Sequence, residues 1–210
     1  MNNTLPTGIY GITAEKFSCG RSNIEVAKAM IKGGIKVIQY REKRHLKDYR
    51  DILEECRQMR KLTREHGVIF IVNDFVDIAI LVDADGVHVG QEDLPVAAVR
   101  SLLGSDKIIG LSTHSPEQAT QAELDGADYI GVGPLFTTQT KEDVCDAVGL
   151  KYLEHVASHS TLPFVAIGGI KEHNIKDVIG RGARTVCLVT EIVGSDDIVQ
   201  TVKRLHTFFS

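Results

Sequence analysis

Eight short apolar runs recur along the chain: Gly8–Ile12, Lys36–Tyr40, Ile69–Asn73, Gly86–Val89, Ile108–Leu111, Tyr129–Val132, Phe164–Ile167 and Thr185–Val189. Each is nearly continuous in its hydrophobicity, where a strand with one wet face would alternate. The runs therefore predict strands covered on both faces, as in a parallel sheet. Between them the spacing becomes helical. Ile24, Ala27 and Ile31 share a stripe that Gly33-Gly34 ends. Asp48–His66 carries Ile52, Cys56, Met59 and Leu62 on one face. Ser115-Pro116 reads as an N-cap with proline at the first helical position, and Gly126 stops the helix that begins there. Lys176–Ile179 and Ser195–Phe208 complete the predicted helices.

Eight strand–helix alternations predict a (β/α)8 TIM barrel occupying residues 1–210 as one domain. The rival is an open doubly wound sheet, which carries a glycine-rich turn after its first strand. Here that turn is Thr13-Ala14-Glu15-Lys16.

Composition narrows the partners. The 210 residues carry a formal charge of −4, so no nucleic-acid partner is expected and any anion site must be local. No apolar run approaches the ~18 residues of a membrane helix. The N-terminus lacks the basic cluster and apolar stretch of a secretory leader. Cys19, Cys56, Cys145 and Cys187 form no CxxC pair, which argues against zinc or a disulfide framework and for free thiols in the cytoplasm. The composition is compatible with a homo-oligomer.

A barrel gathers its chemistry at the C-terminal ends of its strands. Gln39, Arg41 and Lys43 follow the second run, Asn73-Asp74 the third, and His88 to Asp93 the fourth. Ser112 and His114 follow the fifth, Thr138, Thr140 and Lys141 the sixth, Gly168-Gly169 the seventh and Thr190-Glu191 the eighth. Asp74 and Asp93 beside Arg41, Lys43 and Lys141 point to a magnesium-bound polyphosphate, because Mg2+ takes one or two carboxylates plus phosphate oxygens while cations neutralise the rest. Ordinary rim salt bridges are the plainer alternative. Gly168-Gly169 sits where barrels commonly bind phosphate through backbone N–H groups. Two anion sites imply two phosphorylated substrates, or one with phosphate at both ends. Ser112 has no partners for nucleophilic catalysis and reads as a ligand hydrogen-bonder. His88 is expected to pack or hydrogen-bond at its strand end. His114 is either a general base or a loop-orienting group.

Several of these segments are long enough to be specific. Gln39-Tyr40-Arg41-Glu42-Lys43, Asn73-Asp74, Asp85 to Asp93 (DGVHVGQED), Gly110 to Ser115 (GLSTHS), Gly133-Pro134-Leu135-Phe136, Thr138 to Lys141 (TQTK) and Ala166 to Ile170 (AIGGI) together resemble the thiamine-phosphate synthase (thiamine-phosphate pyrophosphorylase) family, in order and over nearly the whole chain. The resemblance implies a barrel that joins a hydroxymethylpyrimidine diphosphate to a thiazole monophosphate, releasing thiamine monophosphate and pyrophosphate. It implies that Asp74 and Asp93 hold Mg2+. Arg41, Lys43, Asn73 and Lys141 would contact the diphosphate, and Gln39 and Ser112 the pyrimidine substrate. Thr138, Thr140, Gly169 and the turn at Val189-Thr190 would hold the thiazole phosphate. It also implies a dissociative displacement, in which diphosphate departs before the thiazole nitrogen attacks.

The chain departs from the family pattern at Thr190-Glu191, where Ser-Ala is common. It departs also at Ala14, Thr137 and Val144-Cys145. These positions bear on the thiazole side. Glu191 is expected to point outward, since toward the pocket it would repel a phosphate. Two other functions are compatible with parts of the pattern: a thiazole tautomerase-like isomerase, and a non-catalytic regulator that binds thiamine phosphates. The first needs no diphosphate site, and the second should have lost Asp74, Asp93 or Lys141. The Phe136–Val148 loop is expected to act as a lid.

Overall fold

The computed structural model describes residues 5–138 and 146–209. Eight parallel strands close into a barrel in sequence order: β1 (Gly8–Ile12), β2 (Val37–Tyr40), β3 (Ile69–Asn73), β4 (Gly86–Val89), β5 (Ile108–Thr113), β6 (Tyr129–Val132), β7 (Phe164–Ala166) and β8 (Thr185–Val186). β8 pairs with β1 to complete the cylinder. The outer ring holds α1 (Asn23–Gly33), α2 (Tyr49–His66), α3 (Val76–Leu81), α4 (Val96–Leu103), α5 (Pro116–Leu124), α6 (Gly149–His159), α7 (Ile175–Ile179), α8 (Val189–Val193) and α9 (Ile198–His206). None of these helices is long and apolar enough to cross a membrane.

The (β/α)8 expectation holds, with corrections at the edges. The eighth apolar run predicts strand through Val189, yet pairing stops at Val186 and Val189 opens α8. Leu188 and Ile192 remain buried there, so hydrophobicity followed burial and not ladder pairing. The predicted turn at Val189-Thr190 is therefore the first turn of a short helix. The last helix begins at Ile198 instead of Ser195, capped by the Asp197 carboxylate, which accepts from Gln200 N at 3.0 Å. Ser115 caps α5 as expected, accepting from Gln118 N at 3.3 Å.

The core has two layers. Inside the cylinder pack Tyr10, Ile12, Val37, Ile71, Tyr129, Val165 and Cys187. A larger layer fills the space between sheet and helices, with Ile38, Phe70, Ile109 and Ile130 facing residues such as Met30, Ile52 and Met59. This double burial is why the strands read as continuous apolar runs.

A recurring device ties helix to sheet at the N-terminal ends of the strands. The Asp85 carboxylate, just before β4, accepts from Phe70 N of β3 and from Arg60 of α2, both at 2.8 Å. The Asp128 carboxylate, just before β6, accepts from Ile109 N of β5 at 2.8 Å and from Arg100 of α4 at 2.6 Å. Each carboxylate thus satisfies a strand N–H and an arginine together.

Candidate active site

A cavity of about 510 Å³ opens at the C-terminal end of the barrel. Its floor is polar, although it is built from positions inside an apolar run. Gln39 Nε2 donates to Tyr10 Oη at 3.0 Å. The Tyr10 and Tyr129 hydroxyls are 2.8 Å apart, and Tyr129 Oη lies 2.9 Å from His88 Nδ1. His88 Nε2 in turn meets Ser112 Oγ at 2.9 Å. Burial holds both tyrosine pKa values above the ordinary phenol range, so each hydroxyl keeps its one proton.

One proton arrangement satisfies every contact in this chain: with Gln39 donating through its nitrogen, the Tyr10 proton passes to Tyr129 and the Tyr129 proton to His88 Nδ1. In it His88 is the neutral Nε2–H tautomer and donates to Ser112, whose own proton is left for a ligand. The register explains how the rings meet. His88, Gly110 and Tyr129 are lateral neighbours on β4, β5 and β6. A Cβ on Gly110 would lie 2.2 Å from Tyr129 Cζ and 2.5 Å from His88 Nδ1. Hydrogen in place of a side chain lets the two rings bond across it.

The wall above β2–β4 carries the charges. Arg41, Lys43, Asn73, Asp74 and Asp93 all line the cavity. Lys43 Nζ sits 3.0 Å from Asp74 Oδ2. Asp74 has φ +63°, a left-handed conformation that aspartate tolerates at functional turns, and its N–H is held by His88 O at 2.9 Å. Asp93 Oδ2 accepts from Gly90 N at 2.6 Å. Glu42, between the two cations, points the other way into a buried net. Its Oε1 accepts from Asn23 Nδ2 at 2.9 Å and from Glu15 N at 3.1 Å. Lys47 closes that net on Glu15 and Glu55 at 2.5 and 2.6 Å. Burial opposes the Lys47 charge, yet these carboxylates outweigh it and raise its pKa. The net anchors the segment from which Arg41 and Lys43 project.

The opposite wall is backbone. Gly168 and Gly169 have φ +96° and +64°, which residues with a Cβ rarely adopt, and added Cβ atoms would strike Pro134 Cα at 2.3 Å and Phe136 Cβ at 2.7 Å. Val189 and Thr190 line the cavity beside them. Glu191 turns outward, as expected, onto Lys171 Nζ at 3.2 Å. His114 also lines the cavity; its Nδ1 is 2.6 Å from Gly133 O and its backbone N–H donates to Gln118 Oε1 at 2.7 Å, contacts that tie it to the loop after β6 and to α5.

The sequence-predicted residues Gln39, Arg41, Lys43, Asn73, Asp74, Asp93, Ser112, Thr138, Gly169, Val189 and Thr190 thus share one cavity. Thr140, Lys141 and most of the expected lid lie outside the described residues. Sequence reasoning misses Tyr10 and Tyr129, because a tyrosine within an apolar run reads as core. Cys187 also reaches the floor. Burial pushes its thiol pKa up, with Arg41 pulling slightly the other way, which makes it a poor nucleophile. Among the described residues Cys19, Cys56 and Cys187 are unpaired; Cys145 lies outside them.

Residues 9–192 match the family model described as thiamine monophosphate synthase. The chain belongs to the thiamine monophosphate synthase family. The thiamine-phosphate synthase of Pelotomaculum thermopropionicum is 61% identical over 210 residues, all of this chain and 95% of that protein. The enzyme of Caldicellulosiruptor saccharolyticus is 58% identical over 94% of this chain and 88% of its own. Among solved structures, thiamine phosphate pyrophosphorylase from Pyrococcus furiosus superposes with a TM-score of 0.88 at 32% identity, over 99% of this chain and 96% of that one. A 3-hexulose-6-phosphate synthase shares the barrel alone, at a TM-score of 0.67 and 18% identity. As a member of the thiamine monophosphate synthase family, the protein is an enzyme, and the cavity just described is its candidate active site.

Proposed function

We propose that this cavity couples a hydroxymethylpyrimidine diphosphate to a hydroxyethylthiazole phosphate, forming thiamine monophosphate and pyrophosphate. One observation carries the reading: the rim is divided into a wall of cations and carboxylates above β2–β4 and a glycine wall above β7–β8. The first suits a diphosphate, and the second a phosphate monoester. An isomerase acting on the thiazole alone would have no use for the first wall.

The donor set fits magnesium. Asp74 and Asp93 offer only hard oxygen atoms, and both face the cavity. Among the described residues no third carboxylate, His or Cys completes a protein cage, which suits an ion whose remaining ligands are phosphate and water oxygens. When bound, Mg2+ would neutralise charge developing on the departing diphosphate.

The protein's own groups do the rest. Arg41 and Lys43 bind the diphosphate and stabilise it as the CH2–O bond breaks, the electron pair leaving with oxygen. Gln39 and Ser112 hold the pyrimidine, Ser112 through the hydroxyl proton that the floor leaves free. Thr138, Gly169, Val189 and Thr190, with Thr140 and Lys141 of the same loop, hold the thiazole phosphate and the departing diphosphate. The thiazole nitrogen is thereby aimed at the exocyclic carbon, to which it forms the new N–C bond. No protein nucleophile is required. The setting is the cytoplasm, consistent with unpaired thiols.

The test is a coupling assay with both substrates and Mg2+, with EDTA as control. Thiamine monophosphate and pyrophosphate in equal amounts, lost with EDTA, are expected. Absence of product with both substrates saturating would overturn the reading.

A further inference from the structure

We infer that Lys171 is a positioning residue for the phosphate of the second substrate, acting through the Thr190 hydroxyl; the inference rests on the glycine wall being the thiazole phosphate site. Lys171 does not line the cavity, but Thr190 does. Lys171 Nζ lies 2.8 Å from Thr190 Oγ1. An ammonium can only donate, so Thr190 Oγ1 is the acceptor and its own proton is directed elsewhere. From a hydroxyl on the cavity wall, that proton is available to a phosphate oxygen. A charged donor behind the oxygen also polarises the O–H bond, which strengthens it as a donor.

The surrounding contacts hold this arrangement from three sides. Glu191 Oε2 pairs with Lys171 Nζ at 3.2 Å, and its other oxygen accepts from Glu172 N at 3.2 Å. Glu172 is itself bracketed by Arg204 Nε of α9 at 2.9 and 3.0 Å. Lys171 N donates to Asn174 Oδ1 at 2.8 Å, and Asn174 Nδ2 donates to Gly169 O at 3.2 Å, which ties the lysine's backbone to the glycine loop. The unexpected Glu191 thus has a function. It holds the ammonium against Thr190, and the ammonium cancels its charge beside an anion site.

The decisive measurement is a double-mutant cycle on Lys171→Met and Thr190→Val, read as KM for the thiazole phosphate at saturating pyrimidine diphosphate and Mg2+. Lys171→Met keeps the apolar stem, and melting temperatures check the fold. Each single variant is expected to raise that KM about five- to tenfold, the loss of a charge-reinforced hydrogen bond. The double variant should match Thr190→Val alone. Lys171→Arg should restore most of the loss, and the KM for the pyrimidine diphosphate should not move. With the unphosphorylated thiazole alcohol, Lys171→Met should behave as the parent protein. If Thr190→Val raises KM and Lys171→Met does not, the inference fails while the phosphate site stands. Additive losses would mean that Lys171 touches the phosphate directly and would also overturn it. If Thr190→Val has no effect, the phosphate site itself is misassigned and the inference falls with it.

Discussion

Replacing Tyr129 by Phe removes one oxygen from the floor of the cavity and little else. That oxygen bonds Tyr10 at 2.8 Å and His88 at 2.9 Å, and the Tyr10 and Tyr129 side chains are almost wholly buried. Tyr10 keeps its contact with Gln39, and His88 keeps Ser112. Each partner is therefore half-satisfied and not orphaned. At about 1 kcal/mol per lost buried bond, with some cost for the stranded lone pair and proton, the loss of stability is about 2–3 kcal/mol. For a chain of this size that lowers Tm by about 5–10 °C. The chemical consequence is separate. With no proton delivered to Nδ1, His88 can take the other tautomer, and Ser112 loses the donor that directs its hydroxyl. We expect kcat to fall about tenfold, one hydrogen bond's worth of transition-state stabilisation, with KM for the thiazole phosphate unchanged. Thermal unfolding, steady-state kinetics and the nitrogen chemical shifts of His88 provide the three readings. The parent protein should show the Nε2–H tautomer. An Nδ1–H tautomer in the parent, or a variant melting within about 1 °C of it, would refute the reasoning.

Three further outcomes are expected from the rim and the helices. Asp93→Ala should lower coupling at least ~100-fold while the unfolding transition stays in place, since a carboxylate that would hold the ion neutralising the leaving group is lost from an exposed loop; full turnover at limiting Mg2+ would refute the metal assignment. Gly169→Ala should cost about 2–4 kcal/mol in urea unfolding and raise KM for the thiazole phosphate, because φ +64° and a 2.7 Å approach to Phe136 Cβ both oppose a methyl group. Burial and the nearby Lys36 hold the His206 pKa below the ordinary imidazole value. The unfolded chain then takes up the proton first, so stability is lost as pH falls through about 6.5. His206→Gln should flatten that part of the pH–stability curve.

The strands are legible because their burial on both faces removes all ambiguity of alternation. Gly8–Ile12, Ile69–Asn73, Gly86–Val89 and Tyr129–Val132 coincide with the apolar runs residue for residue. Helices α3, α4 and α6 do not stand out in the sequence. Val76–Leu81 and Val96–Leu103 are too short to display a period against their apolar neighbours. The charged rim is legible because Arg41, Lys43, Asp74 and Asp93 follow closely on apolar runs, which places them at strand ends on one rim. The floor is not. Period-2 geometry decides that Tyr10, Gln39, His88 and Tyr129 face one interior, and only the register between strands places them within reach of each other. The contact between Lys171 and Thr190 joins the loop after β7 to the first turn of α8, 19 residues on, and nothing in either local sequence announces it.

Asp85 and Asp128 carry a consequence for how variants of this protein should be interpreted. Their bonds to strand N–H groups and to Arg60 and Arg100 lie at the end of the cylinder away from the cavity. Damage to them and damage to the catalytic rim are therefore separable phenotypes. A sequence altered at the rim should accumulate in the cell as intact, silent protein. One altered at Asp85 or Asp128 should be depleted by turnover while each surviving molecule works normally. Abundance and specific activity, measured together, sort the inherited changes in this chain into those two kinds.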